Sequence, residues 1–210
     1  MRLDLFLLNM VLFPRMRMPL HIFEPRYREM IGRCIAENAP FGVVLIKEGD
    51  EAGPPAVPHD VGTTARIFKT ETLEDGRMNI AIEGQERFRI DEIIATEPHV
   101  IAEVTLYPLE IDDQSAVDRE AAEVRDLFTR GLRLLVELQG GFAPHLDAPS
   151  NPERLAIFVA AGLPLESSAK QALLEIRTTD ALLEAERRFI AHHLPDLDAM
   201  VDRRWAARAN

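Results

Sequence analysis

Three prolines punctuate the stretch Val11–Met30, which reads VLFPRMRMPLHIFEPRYREM. Pro14, Pro19 and Pro25 each hold φ at about −65° and push the preceding residue towards extended backbone. The pattern predicts a stiff extended run, not a pliable loop. Arg15-Met16-Arg17-Met18 lies between the first two prolines. Alternate side chains of an extended chain face opposite ways, so Arg15 and Arg17 are expected on one face and Met16 and Met18 on the other. Pro25 suits the first position of a helix, where its missing N–H is no loss. Glu24 and Glu29 bring negative charge to that helix's positive end.

The flanking segments alternate between strand and helix signals. Arg2–Leu8 is apolar on both sides and predicts a buried strand. Pro25–Asn38 carries Tyr27, Met30, Ile31, Cys34 and Ile35 at helical spacing, with Asn38 suited to its end. Phe41–Ile46 is a continuous apolar strand, and Lys47–Asp60, rich in glycine, proline and acids, is a surface loop. Thr63–Leu73 and Arg77–Glu83 flank Glu74-Asp75-Gly76, a hairpin signal. Gly84-Gln85 predicts another turn before the strands Arg87–Ile94 and Val100–Leu106. Consecutive antiparallel strands with one early helix predict a small, partly closed barrel.

After Pro108–Gln114 the period changes from two to helical. Val117, Ala121, Val124, Phe128, Gly131, Leu135 and Leu138 mark one long helix, stopped by Gly140-Gly141 and followed by a loop over Phe142–Ser150. Asn151-Pro152 starts a second, with Leu155, Phe158 and Val159 facing its core. A third runs from Glu166 to Arg177. Asp180 caps a fourth that ends before Pro195, and a fifth covers Asp196–Ala207 with Met200 and Trp205 as anchors. Short connections favour an antiparallel helical bundle. The expected fold class is α+β, with a β-barrel domain over residues 1–112 and a helical bundle over 113–210.

Composition excludes several functions. The formal net charge of −11 argues against a general nucleic-acid binder, which favours a basic surface. The exception is local: Arg2, Arg15, Arg17, Arg26, Arg28 and Arg33 outnumber Asp4, Glu24 and Glu29 before residue 34. Cys34 is the only cysteine, so no intramolecular disulfide can form, and a reducing cytoplasm is expected. Asp4 interrupts the apolar start, which makes it a poor signal peptide, and no apolar run approaches the ~20 residues of a membrane helix. There is no Gly-Lys dipeptide and hence no Walker-type ATP loop. Ser167-Ser168-Ala169-Lys170 has an S-x-x-K spacing, but the partner motifs of the acyl enzymes that use it are missing, so the serines read as helix caps. His21, His59, His99, His145, His192 and His193 form no metal-ligand spacing. No catalytic residue, metal or cofactor is expected.

An apolar strand, L-F-P, then M-P-L-H-I-F-E-P-R-Y-R-x-M, a helix and F-G-V-V-L resembles the N-terminal substrate-binding domain of bacterial Lon proteases, most of all its standalone version. The resemblance is dense over Leu3–Ile46, and looser but in order through Gly62–Leu106. Leu163-Pro164-Leu165 and Lys170-Gln171-Ala172-Leu173-Leu174-Glu175 still resemble that domain's helical half. It implies a PUA-like pseudo-barrel for the β domain and a non-catalytic protein-binding module. Its partners would be unfolded or specific polypeptides, or a protease or chaperone, with capture by the barrel face and the cleft between domains. Phe13, Met16, Met18, Arg15 and Arg17 are the candidate peptide-binding residues, because thioethers adapt to varied apolar partners. Pro14, Pro19, His21, Phe23, Glu24, Pro25, Arg26 and Tyr27 belong to the family motif and read as structural. An RNA-binding PUA-like module, with Arg15, Arg17, Arg26 and Arg28 on phosphates, is the alternative.

Overall fold

The structure is a computed structural model that describes residues 1–51, 56–141 and 148–208. Gly53, Pro54 and Pro55 of the first loop, His145 with most of the second, and the Trp205 side chain lie outside the described residues. The elements in chain order are β1 (Arg2–Leu8), β2 (Arg17–Ile22), α1 (Pro25–Glu37), β3 (Phe41–Glu48), β4 (Val57–Pro58), β5 (Val61–Thr72), β6 (Met78–Ala95), β7 (Val100–Leu106), α2 (Gln114–Leu138), α3 (Pro152–Gly162), α4 (Ser167–Glu175) and α5 (Thr179–Arg208). They form two compact units, Met1–Pro108 with Pro164–Glu175, and Leu109–Leu163 with Ile176–Asn210. The fold class is α+β, as expected. Among the described residues no helix is long and apolar enough to cross a membrane.

In the first unit β1 pairs antiparallel with β7 and parallel with β3, so the ring β1-β7-β6-β5-β3 closes. The parallel pair departs from a purely antiparallel barrel. It arises because the chain between β1 and β3 crosses over through β2 and α1, the connection a parallel pair needs. β5 and β6 overrun the ring, and their far halves join β2 in a three-stranded ribbon, with β2 on β6. The inward face of that ribbon, Met18, Leu20, Ile22, Ile80 and Ile82, packs with Tyr27, Met30, Ile31 and Cys34 of α1 in one buried cluster. Asn38 ends α1 in the left-handed conformation with φ +50°, as its type allows.

The turn expected at Gly84-Gln85 is absent, because β6 continues through it, with a register shift against β5 between Gly84 and Arg87. Gly84 is needed there for a different reason. A Cβ on it would stand 2.3 Å from the Phe13 carbonyl oxygen. The close approach lets the Arg15 amide donate to the Gly84 carbonyl at 2.7 Å and the Gly84 amide donate to the Met16 carbonyl at 2.9 Å.

In the second unit α2 packs along α5, with α3 against both. Asp113 caps α2 by accepting from the Ser115 and Ala116 amides, and Asn151 caps α3 by accepting from the Arg154 amide, ahead of Pro152. The expected break before Pro195 does not occur, and α5 is one helix with Pro195 inside it. Buried Leu194 and Val201 on either side of the proline hold the two halves in one line of packing, which outweighs the lost backbone bond. Met200 is exposed, so Val201 takes the anchoring role expected of it. Phe158 is also partly exposed and meets Phe128 edge-on at 5.9 Å.

Glu186 is buried on α5. Burial holds its carboxyl well above the usual carboxylate range, offset only in part by the Ala160 backbone. In the unfolded chain that carboxyl ionises at its ordinary value, and in the fold it ionises only at higher pH. Its contribution to stability is therefore intact below the ordinary value. It is lost between the two values as pH rises, at about 1.4 kcal/mol per pH unit. Glu186→Gln is expected to flatten the fall in melting temperature as pH rises above the ordinary carboxylate range. Parallel profiles for wild type and variant would show that Glu186 titrates normally.

Candidate functional site

The register of β2, β6 and β5 decides what the ribbon shows on its outward face. Cross-strand rows run Arg17–Glu83–Arg66, Pro19–Ala81–Lys69 and His21–Asn79–Glu71. The first and last are tied across the strands. Arg17 Nε donates to Glu83 Oε2 at 2.6 Å, and this bond with the guanidinium charge holds the Glu83 carboxyl below its usual range. His21 Nδ1 lies 2.7 Å from Asn79 Oδ1, and Asn79 Nδ2 donates to Glu71 Oε2 at 3.2 Å. Two aromatic rings stand over these rows. Phe23 stacks on His21 at 6.1 Å, and Phe68 lies 5.0 Å from the Arg17 guanidinium. They are 55% and 53% exposed, well beyond what core packing would leave. Phe68 is the extra residue where the β5 register shifts between Ile67 and Lys69, and such a bulge re-aims a side chain. The surface pairs exposed aromatic faces with held hydrogen-bonding groups, an arrangement suited to contact with another chain.

The structure separates the residues that the sequence grouped together. Phe13 is fully buried and Met18 lies in the α1 cluster, with Met16 half-buried against it. The Met face thus points inward, and these side chains fill the interior. Arg15 is exposed in a left-handed turn with φ +66°, so the extended alternation begins at Arg17. Pro14 is half-buried, Pro19 is central in β2, and Pro25 opens α1. Glu24 pairs with Arg26 at 2.9 Å and does not cap the helix. Arg26 also donates to the Glu51 carbonyl and lies 4.7 Å from the Tyr27 ring, which stacks on Phe6 at 4.1 Å. Those motif residues build the start of α1. The partners Arg66, Phe68, Lys69, Glu71, Asn79 and Glu83 escape a reading of the sequence, because strand register and the bulge bring them onto the outward face with β2.

Cys34 is buried and burial pushes its thiol up to about 11. Ser167 Oγ donates to the Asn9 carbonyl at 2.8 Å. Among the described residues no cluster of His, Cys, Asp and Glu could hold a metal ion.

The family model described as the ATP-dependent protease La (LON) substrate-binding domain matches residues 2–192. The Lon protease of Phenylobacterium zucineum is 28% identical over 187 residues, covering 88% of this chain and 24% of that protein. Lon protease 2 of Syntrophobacter fumaroxidans is 28% identical over 192 residues, covering 90% and 24%. The chain thus spans about a quarter of the length of these relatives. Among solved structures, the N-terminal domain of the Mycobacterium avium complex Lon protease superposes with a TM-score of 0.68 at 19% identity, covering 92% of this chain and 100% of that one. A Lon N-terminal domain protein from Xanthomonas campestris superposes at 0.59 with 24% identity, covering 88% and 96%. These two likenesses concern the fold.

The inward and outward faces of β2 are expected to respond differently to truncation. Met18→Ala should cost about 2–5 kcal/mol through lost burial and a cavity. Arg17→Ala, which removes an exposed pair, should cost about 0–1 kcal/mol. Urea denaturation of both variants checks this. Equal losses would mean that the two faces of β2 are not distinguished as the structure has them.

Proposed function

The chain belongs to the ATP-dependent protease La (LON) substrate-binding domain family, and from that premise we propose that it is a non-catalytic module that captures polypeptide. The family match over residues 2–192 carries the reading, since it accounts for most of the chain with a domain described by substrate binding. The outward ribbon face supports it as the contact surface, with Phe23 and Phe68 as apolar anchors and Arg17, His21 and Arg15 as the polar surround. Phe68 and Arg17 constrain each other, and His21 is held by Asn79, so little side-chain entropy is lost on contact. Capture needs no cofactor. The partner is an unfolded or specific polypeptide, and a protease or chaperone is the onward recipient. The RNA alternative is the weaker reading, because Arg17, Arg26 and Arg33 of the basic N-terminal segment are engaged by Glu83, Glu24 and Asp4.

The test is fluorescence anisotropy with a labelled, permanently unfolded polypeptide. The wild-type chain is expected to bind it, and Phe23→Ser with Phe68→Ser should weaken binding about tenfold, the loss of one modest hot spot. Both side chains are exposed, so the melting temperature should hardly move. ATP turnover by the purified protein, or no polypeptide binding by the wild type, would overturn the reading.

A further inference from the structure

The three-stranded ribbon has two outer edges, and they are built differently. One edge is β2, with Pro19 at its middle. Proline has no N–H to offer and is confined to edges of this kind, so an added strand meets a gap there. The other edge is the far half of β5, Arg66–Thr72, beyond the point where β3 stops pairing at Ala65. It contains no proline, and among the described residues no strand pairs with it on that side. It runs about 20 Å, long enough for a short added strand.

A groove of about 170 Å³ lies along this edge, walled by the end of α1. Its lining mixes the apolar Ile35, Ala39, Ile67 and Phe68 with the polar Asn38 and Thr70, and its charged residues are Arg66 and Lys69. Both cations project from the outward face, in the rows of Glu83 and Ala81. Glu83 is taken by Arg17, and neither Arg66 nor Lys69 makes an ion pair among the described residues. Two cations without an ion pair on one edge groove stand out in a chain of net charge −11. They also decide the occupant. A second copy paired antiparallel over Arg66–Thr70 would bring the two copies' Arg66 and Lys69 side by side, the charge device that keeps edges from self-pairing. A strand with acidic side chains would instead neutralise them.

We propose that the outer edge of β5, over Arg66–Thr70, is a strand-addition site for an extended peptide segment in which acidic and aliphatic residues alternate. The period follows from the edge. Side chains of the added strand on the outward face would sit beside Arg66 and Lys69, and those on the inward face beside Ile67, Ile35 and Ala39. Backbone hydrogen bonds supply affinity, and the alternating side chains supply selectivity. This rests on the reading of the chain as a polypeptide-capturing module and names the class of segment captured.

The experiment titrates the whole chain into three labelled peptides of about eight residues. One alternates glutamate with valine, one alternates lysine with valine, and one is the glutamate peptide N-methylated at alternate residues. The glutamate peptide is expected to bind at least about tenfold tighter than the lysine peptide, and N-methylation should abolish the binding. Arg66→Glu with Lys69→Glu should invert the preference, with an unchanged melting temperature because both side chains are exposed. A preference that survives the double reversal, or N-methylation without effect, overturns the site. An unfolded polypeptide lacking acidic clusters serves as the control. If the wild type binds it but not the glutamate peptide, only the β5 site falls. If it binds neither, polypeptide capture falls as well.

Discussion

The first unit depends on β1 being paired along both of its edges. Leu5 to Leu8 face β3 in parallel register, while Arg2 to Leu5 face β7 antiparallel. A short strand gains most when neither edge is left open to water, and closure removes the edges of the ring altogether. The strand's position is locked by one polar cluster. Asp4 accepts from the Arg33 guanidinium at 3.1 Å, and its other oxygen lies 3.0 Å from Nε2 of the buried His99. Asp4, the one acid in an apolar run, thus ties β1 to α1 and to the start of β7. The α-amino group adds a bond from Met1 to the Val104 carbonyl at 2.7 Å.

The same unit is completed by α4, a segment distant in sequence. Arg87 is buried and donates through Nη1 to the Leu174 carbonyl at 2.7 Å, at the end of α4, with the Tyr107 ring 5.1 Å from its guanidinium. A cation at a helix C-terminus meets the negative end of the dipole, and the charge-assisted bond contributes about 1.5–3 kcal/mol. Gln171 Nε2 donates to the Val61 carbonyl at 2.9 Å from the middle of the helix. Ser167 Oγ does the same to Asn9 at the other end. Side chains reaching backbone carbonyls at three points fix the helix, alongside the buried Leu174.

Closure of the ring sets the consequence for function. Among the described residues the ring strands are paired with one another, and outside the ring stand the two-residue β4 and the longer ribbon formed where β5 and β6 overrun it. There one edge carries Pro19 and the other does not. The outward face offers Phe23 and Phe68 with polar groups already engaged among themselves. The proposed capture surface and the proposed pairing edge are adjacent because both come from the same three strands.

Sequence alone determined the local elements wherever the physics was local. The run of prolines set β2 and the start of α1, apolar periodicity set the buried stripe Tyr27–Cys34, and Asn151-Pro152 set the start of α3. The order of the motif around Leu3–Ile46 was enough to indicate the family. Long-range packing decided the rest. Met18 faces inward because β2 lies against β6 with α1 beneath, a register that no residue of the Arg-Met-Arg-Met run encodes. Gly84 looked like a turn and became a crossing point for the Phe13 carbonyl, since the missing Cβ serves both uses. Pro195 looked like a helix end and was absorbed, because burial on both sides of it outweighed one lost backbone bond. Phe68 reached the surface through a bulge, which shifts the two-residue period by one and hides the outward row from any reading of alternation.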